Sequence, residues 1–216
     1  MERYVFNTDK EIFEETFGVS PTSSSILEPT FNAVPGHSLP IIRSRKKNSI
    51  LESAIWGLDT GNTSISSLDL NDVLENDDYR SYLKTNTCII PANGFYKWKK
   101  TVDDPLPFFI RVHTRELLGI AGFFIEHDDS RNSFCVITKQ ANVLIKPVDD
   151  TMPCILDPQK FELWLNGDAE TILKKGFNDF ALLPEMTVFR VPDLVNDLSN
   201  NSPELMQPIP KLRDDE

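Results

Sequence analysis

The apolar positions of this chain read mostly as strands. Leu39-Pro40-Ile41-Ile42 and Ser53-Ala54-Ile55-Trp56-Gly57-Leu58 are two short apolar runs of that kind. From residue 88 onward the pattern is mostly β, with runs at 88–98, Phe108 to His113, Leu118 to Ile125, Phe134 to Thr138 and Met186 to Val191. Gly119 and Gly122 within one run predict a bulge or a close backbone approach. Helices are few and short. Thr8-Asp9-Lys10-Glu11 reads as a capping box that opens a helix from Glu11 to Phe17, with Ile12, Phe13 and Phe17 on its apolar side. Asp78 to Leu83 reads as a helical turn leading into the strand at 88. Asp157-Pro158 is an N-cap followed by Pro at the first helical position, opening a helix through Trp164-Leu165. Asp168 to Lys175 is a second short helix. Residues 19–30, rich in Ser, Thr and Pro, read as loop, and 59–78 as a mobile linker or insertion. No repeat and no second core is visible. The expectation is a single α+β domain dominated by a curved sheet, with short flanking helices.

Length and composition narrow the class. A chain of 216 residues can bury one full core. The domain is expected over 1–208, with an acidic polar tail at 209–216. No apolar run approaches the ~18 residues that span a membrane, and Met1-Glu2-Arg3-Tyr4 has no apolar signal-peptide core. A cytoplasmic protein without a membrane partner is expected. Cys88, Cys135 and Cys154 each sit among apolar neighbours and without metal-ligand spacing, so buried, reduced thiols are expected. His37, His113 and His127 are scattered, and neither a metal nor a cofactor is expected.

Charge changes the picture further. Lys plus Arg is 22 and Asp plus Glu is 33, a net charge of −11. That balance counts against strong non-specific DNA binding, which rests on phosphate neutralisation. Arg43-Ser44-Arg45-Lys46-Lys47 and Lys97-Trp98-Lys99-Lys100 supply either a local basic face or a solvated loop and a hairpin tip.

The motifs carry the most. Cys88-Ile89-Ile90-Pro91-Ala92-Asn93-Gly94-Phe95-Tyr96-Lys97-Trp98 resembles the C-x-x-P-A-x-G-F-Y-E-W signature of the SOS-response-associated peptidase (SRAP) family of abasic-site-processing proteins. Further blocks follow in family order. Pro29-Thr30-Phe31-Asn32-Ala33-Val34-Pro35-Gly36 is similar to P-x-[YF]-N-x-x-P, and Trp56-Gly57-Leu58 to R-W-G-L with Ile55 in place of the Arg. Gly119 to Phe124 is similar to A-G-L-[WY], Phe134 to Asn142 to F-x-I-x-T-x-x-A-N, and Met152 to Leu156 to H-x-R-M-P-V-I-L. Val195-Asn196 with Ser202-Pro203-Glu204-Leu205 resembles the closing segment. The resemblance implies an α+β fold with a mainly antiparallel, curved, barrel-like sheet, short flanking helices and a basic groove that recognises abasic sites in single-stranded DNA. In the family a Cys directly after the initiator Met condenses with the sugar aldehyde to a thiazolidine crosslink, and an Asn, a Glu and a His assist.

This chain departs from that scheme at each reactive position. Where the family reads Met-Cys-Gly-Arg-Tyr, it reads Met1-Glu2-Arg3-Tyr4. Glu2 is too bulky for the usual Met removal, so Met1 is expected to stay, and neither residue offers a thiol. Lys97 stands in the place of the Glu, Asp149 in that of the His, and Thr151 in that of the following Arg. The segment with the sugar-binding Asn and a phosphate-binding Arg is not recognisable; Ser67 and Asp69, or Asn71 with a gap, fall near it. The catalytic positions are thus Glu2, Lys97 and Asp149, all substituted. DNA contact is expected from Arg3, Asn32, Trp56, Trp98, Thr138, Asn142, Met152 and Pro153. For Trp56 and Trp98, base stacking and a core role stand side by side, and Asn32 reads more readily as a structural cap.

Three functions follow. The first is a family member that has lost its crosslink and binds single-stranded DNA weakly, with Lys97 and Asp149 as a buried structural pair. The second is an abasic-site lyase in which Lys97, walled by Phe95, Trp98 and Trp56, forms an imine; an adjacent Asp149 opposes it by favouring the ammonium. The third is a non-enzymatic protein-interaction module with an unnamed partner.

Overall fold

In the computed structural model, residues 2–59, 61, 63–127, 131–177 and 182–210 are described. The apolar runs become β1 (Arg3–Phe6), β2 (Thr30–Ala33), β3 (Ser38–Arg45), β4 (Asn48–Trp56), β5 (Leu58–Asp59), β6 (Ser64–Ile65), β7 (Ser67–Asp69), β8 (Thr87–Ala92), β9 (Gly94–Lys99), β10 (Leu106–Val112), β11 (Leu118–Ile125), β12 (Ser133–Gln140), β13 (Thr151–Pro153), β14 (Ile155–Leu156) and β15 (Met186–Arg190). The helices are α1 (Lys10–Phe17), α2 (Leu70–Glu75), α3 (Asp77–Thr85), α4 (Phe161–Leu165) and α5 (Ala169–Lys175). The sheet is barrel-like, as the family resemblance implied. β3, β4, β12, β11 and β8 pair in a ring, with β12 parallel to β4 and antiparallel to β11. Beside it lies a second sheet in the order β15-β10-β9-β1-β2.

Side-chain alternation along β9 joins the two parts. Phe95 belongs to the large core cluster with Trp56, Ile90, Ile120 and Phe134. Tyr96 faces the other way and packs with Val5, Phe109, Val191, Val195 and Leu205. The C-terminal segment therefore runs as a strap over the outer face of the second sheet, carrying 3₁₀ turns at Asp193–Asn196 and Pro203–Met206. Ile209 still donates its N–H to the Arg190 carbonyl (3.0 Å), while residues 211–216 of the expected tail lie outside the described residues.

Several local expectations change. The run 88–98 is two strands in different sheets, because the chain turns at Asn93. The Asn93 carboxamide accepts from the Asn7 N–H (2.7 Å) and donates to the Asn7 and Glu116 carbonyls (both 2.9 Å), fixing that corner. The 59–78 segment is not simply a linker. Ser67–Asp69 pairs in parallel with β12, and two helices follow because Asp69 and Asn76 act as N-caps: Asp69 accepts from Asn71 N–H, Asn76 from Asp78 and Tyr79 N–H. Residues 60 and 62 of that stretch lie outside the described residues. The capping box at Thr8 does not form, since Asp9 is the N-cap and makes no side-chain bond, and the Thr8 hydroxyl donates to the Asp9 carbonyl. Gly122 marks a close approach rather than a bulge. A Cβ there would lie 2.4 Å from Ile90 Cδ1 and 2.6 Å from the Cys135 carbonyl oxygen, within a regular register.

Candidate active site: a paired lysine on the floor of a cleft

A cleft of about 540 Å³ opens at the end of the second sheet where β1 begins, β9 ends and β10 begins. Glu2, Arg3, Lys97, Trp98 and Asp149, five of the residues singled out in the sequence, line it together. Lys100, Asp104, Pro105 and Leu106 of the β9–β10 hairpin, and Asp193 and Asn196 of the strap, complete the wall.

Lys97 lies on the same face of β9 as Phe95, so its stem runs toward the barrel and only 4% of the residue is exposed. Its Nζ meets Asp149 Oδ1 at 2.9 Å and donates to Thr151 Oγ1 at 2.8 Å. The Thr151 hydroxyl donates in turn to Asp149 Oδ1 (2.8 Å), and the Thr151 N–H does the same (2.7 Å). The expected pair therefore exists as a closed triangle. Burial pushes the Asp149 carboxyl up, but the Thr151 N–H, the Lys97 ammonium and the Thr151 hydroxyl together outweigh it and hold the carboxyl below the ordinary aspartate value. Asp149 arrives there on a helical turn that Asn142 caps, its Oδ1 accepting from the Leu144 and Ile145 N–H groups (both 3.1 Å) and the Asp149 N–H bonding the Ile145 carbonyl (3.0 Å).

The outer wall is built differently. Arg3 donates to the Val195 carbonyl, and its guanidinium lies 4.9 Å over the Trp98 ring. Burial lowers the Arg3 pKa, against Glu2 and Tyr96. The Trp98 indole N–H donates to Asn196 Oδ1 (2.8 Å). Asn32, 2% exposed, donates to the carbonyls of Val195, Asp197 and Asn200, each at 3.2 Å, and so latches the strap that forms this wall. Thr151 and Asn196 are the site residues that sequence reading did not single out. The match of Val195-Asn196 to the family's closing segment was the available signal.

The remaining sequence candidates are not on the cleft. Trp56 is fully buried between Tyr4 and Phe134, with its indole N–H on the Ser66 carbonyl (2.9 Å). Met152 and Pro153 are buried in β13, and the Thr138 hydroxyl bonds the Leu68 carbonyl (3.1 Å). In this arrangement none of the four presents a surface to a ligand. The cleft itself holds four carboxylates (Glu2, Asp104, Asp149, Asp193) against three cations (Arg3, Lys97, Lys100), a formal balance of −1. Of the basic run at 43–47, Arg43 is paired with Glu52 (2.7 Å) and Glu126 (3.1 Å), while Lys46 and Lys47 form the β3–β4 turn. All three cysteines are free and buried; burial raises Cys88 and pushes Cys135 up to about 12, so neither supplies a thiolate near neutral pH. Among the described residues no group of three His, Cys, Asp or Glu side chains is placed to hold a metal ion, and no helix is long and apolar enough to cross a membrane.

Known proteins share this architecture. A protein from Bacteroides thetaiotaomicron superposes with a TM-score of 0.78 at 19% identity, covering 97% of this chain and all of that one, which shows a common fold. Among relatives, the abasic site processing protein YoqW of Bacillus subtilis is 28% identical over 83% of this chain and 86% of its own. The abasic site processing protein YedK of Escherichia coli is 23% identical over 83% and 84%, and HMCES of Gallus gallus 25% over 84% and 66%. The model of the SOS response associated peptidase family matches residues 2–198, and the chain belongs to the SRAP family.

Proposed function

We propose that this protein recognises abasic sites in single-stranded DNA without forming the thiazolidine crosslink. The relatives named as abasic site processing proteins support the recognition. The observation that carries the second half is the Lys97–Asp149–Thr151 triangle. Where the family scheme has a Glu and a His to move protons, this chain has an ammonium and a carboxylate tied to each other and to a hydroxyl. Glu2 stands directly before Arg3 where the family scheme has Cys-Gly, and its side chain offers no thiol. Trp98 supplies a stacking wall and Arg3 and Lys100 supply the cations for a phosphate. The cleft balance of −1 favours weak, salt-sensitive binding.

The imine-forming lyase remains the second reading, because Lys97 does reach the cleft. Its nitrogen would first have to leave Asp149. Three free thiols support a reducing, cytoplasmic setting. Fluorescence anisotropy at low salt tests the recognition. Single-stranded DNA with one abasic site should bind more tightly than the intact strand, and equal affinities would exclude abasic-site recognition.

A further inference from the structure

A second depression, of about 440 Å³, lies at the opposite end of β10 from the cleft. Leu106 lines the cleft, whereas Phe109, Arg111 and the stretch from Val112 to Glu116 line the depression. The six residue steps from Leu106 to Val112 cover about 20 Å at the rise of a strand. Its lining charges are Arg111 and Arg115 against Glu116, a formal balance of +1 with His113 neutral, in a chain of net charge −11. Neither guanidinium has an ion-pair partner among the described residues. Arg111 is held instead by its stacking on Phe189, at 5.7 Å from the ring centroid. The side chain of Asn7, also on the wall, has no hydrogen-bond partner among the described residues.

The frame around these donors is fixed before any ligand arrives. The Asn93 carboxamide ties Asn7 to Glu116 through three bonds of 2.7–2.9 Å. The His113 N–H is anchored on the Glu185 carbonyl at 2.8 Å, and the Arg115 N–H on Val112 at 3.1 Å. Two unpaired guanidiniums, an imidazole and a free carboxamide around one preorganised hollow make a site for an oxyanion with several acceptor oxygens. We infer that this depression is a phosphate-binding site, separate from the cleft and independent of the reading given for it. The phosphate comes either free in solution or as part of a DNA backbone.

Titration calorimetry tests this with two probes, inorganic phosphate and a 5′-phosphorylated single-stranded oligonucleotide without an abasic site. The proteins compared are wild type, Arg111→Gln/Arg115→Gln and the single reversal Arg115→Glu, which changes one position instead of two. Saturable binding of either probe, weakened about tenfold or more in both variants, is the expected result. Binding of inorganic phosphate assigns the free anion, and binding of the oligonucleotide alone assigns the backbone. Absence of saturable binding by both probes, or equal binding in wild type and Arg115→Glu, would overturn the inference.

Discussion

Replacing Asp149 by Asn removes one charge from the cleft floor while keeping the side chain's size, and it should hurt the fold more than removing the partner charge. The asymmetry comes from burial: the Lys97 side chain is 5% exposed and that of Asp149 30%. Asp149→Asn leaves the ammonium buried against neutral acceptors. A stranded buried charge costs about 3–5 kcal/mol. The Thr151 hydroxyl and the partial exposure of position 149 reduce this to about 2–3 kcal/mol. Lys97→Met instead replaces the buried charge by an apolar chain of similar length. The carboxylate it leaves keeps the Thr151 N–H and hydroxyl and reaches solvent. Its cost is about 1 kcal/mol. In the double variant no buried ammonium remains, so its stability should match Lys97→Met, a coupling of about 2 kcal/mol. At about 2–4 °C per kcal/mol for a chain of this size, Asp149→Asn melts about 4–12 °C below wild type. Urea unfolding followed by tryptophan fluorescence gives the three free energies. Equal losses in the two single variants, or a double variant whose loss is their sum, would refute the description of the pair as a buried bridge.

The lowered Asp149 carboxyl fixes a sign for pH dependence. Its folded value lies below its unfolded one, so its contribution is present above the ordinary aspartate range and fades as pH falls through the lowered value. Acid titration of stability should show that loss in wild type, and Lys97→Met should flatten it. Trp98→Ala should weaken single-strand binding by about 1–3 kcal/mol and cost less stability than Trp56→Ala, because its side chain is only half-buried. Trp56→Ala should instead cost about 3–5 kcal/mol of stability; anisotropy and thermal melts on the same two proteins separate these effects. Lys46 and Lys47 occupy the two turn positions of the β3–β4 hairpin at φ 51 and 67, the region Asn-Gly fills without strain. Lys46→Asn/Lys47→Gly should therefore raise stability by about 1 kcal/mol, read by urea unfolding.

Strand content was legible because apolar runs such as Leu118 to Ile125 are buried on both faces and persist as single elements. The closure of the barrel was legible only through the family motifs, since the parallel contact of β12 with β4 joins residues remote in sequence. The break of 88–98 falls at Asn93-Gly94, a turn-type dipeptide inside a largely apolar run, and the bonds from Asn93 to Asn7 and Glu116 that fix it join residues remote in sequence. Of the helices after residue 69, α3 was legible as the helical turn at Asp78 to Leu83, whereas α2 was hidden behind polar residues, its N-cap being Asp69. At the site, the substitutions at Lys97 and Asp149 were visible as residue types, and their opposite charges suggested the pair. Thr151, the third corner, read only as a missing Arg, because its bonds depend on where the turn after Asn142 delivers Asp149. For Asn32 and Trp56 burial decides between alternatives that sequence leaves open: one latches the strap, the other fills the core.

The central claim is recognition of an abasic site without a covalent bond. Its most direct test is incubation with single-stranded DNA carrying one abasic site, with and without borohydride, resolved on a denaturing gel. The account predicts no shifted band in either lane. A stable adduct without reductant would contradict it outright. An adduct that needs borohydride and disappears in Lys97→Met would replace it with imine chemistry at Lys97.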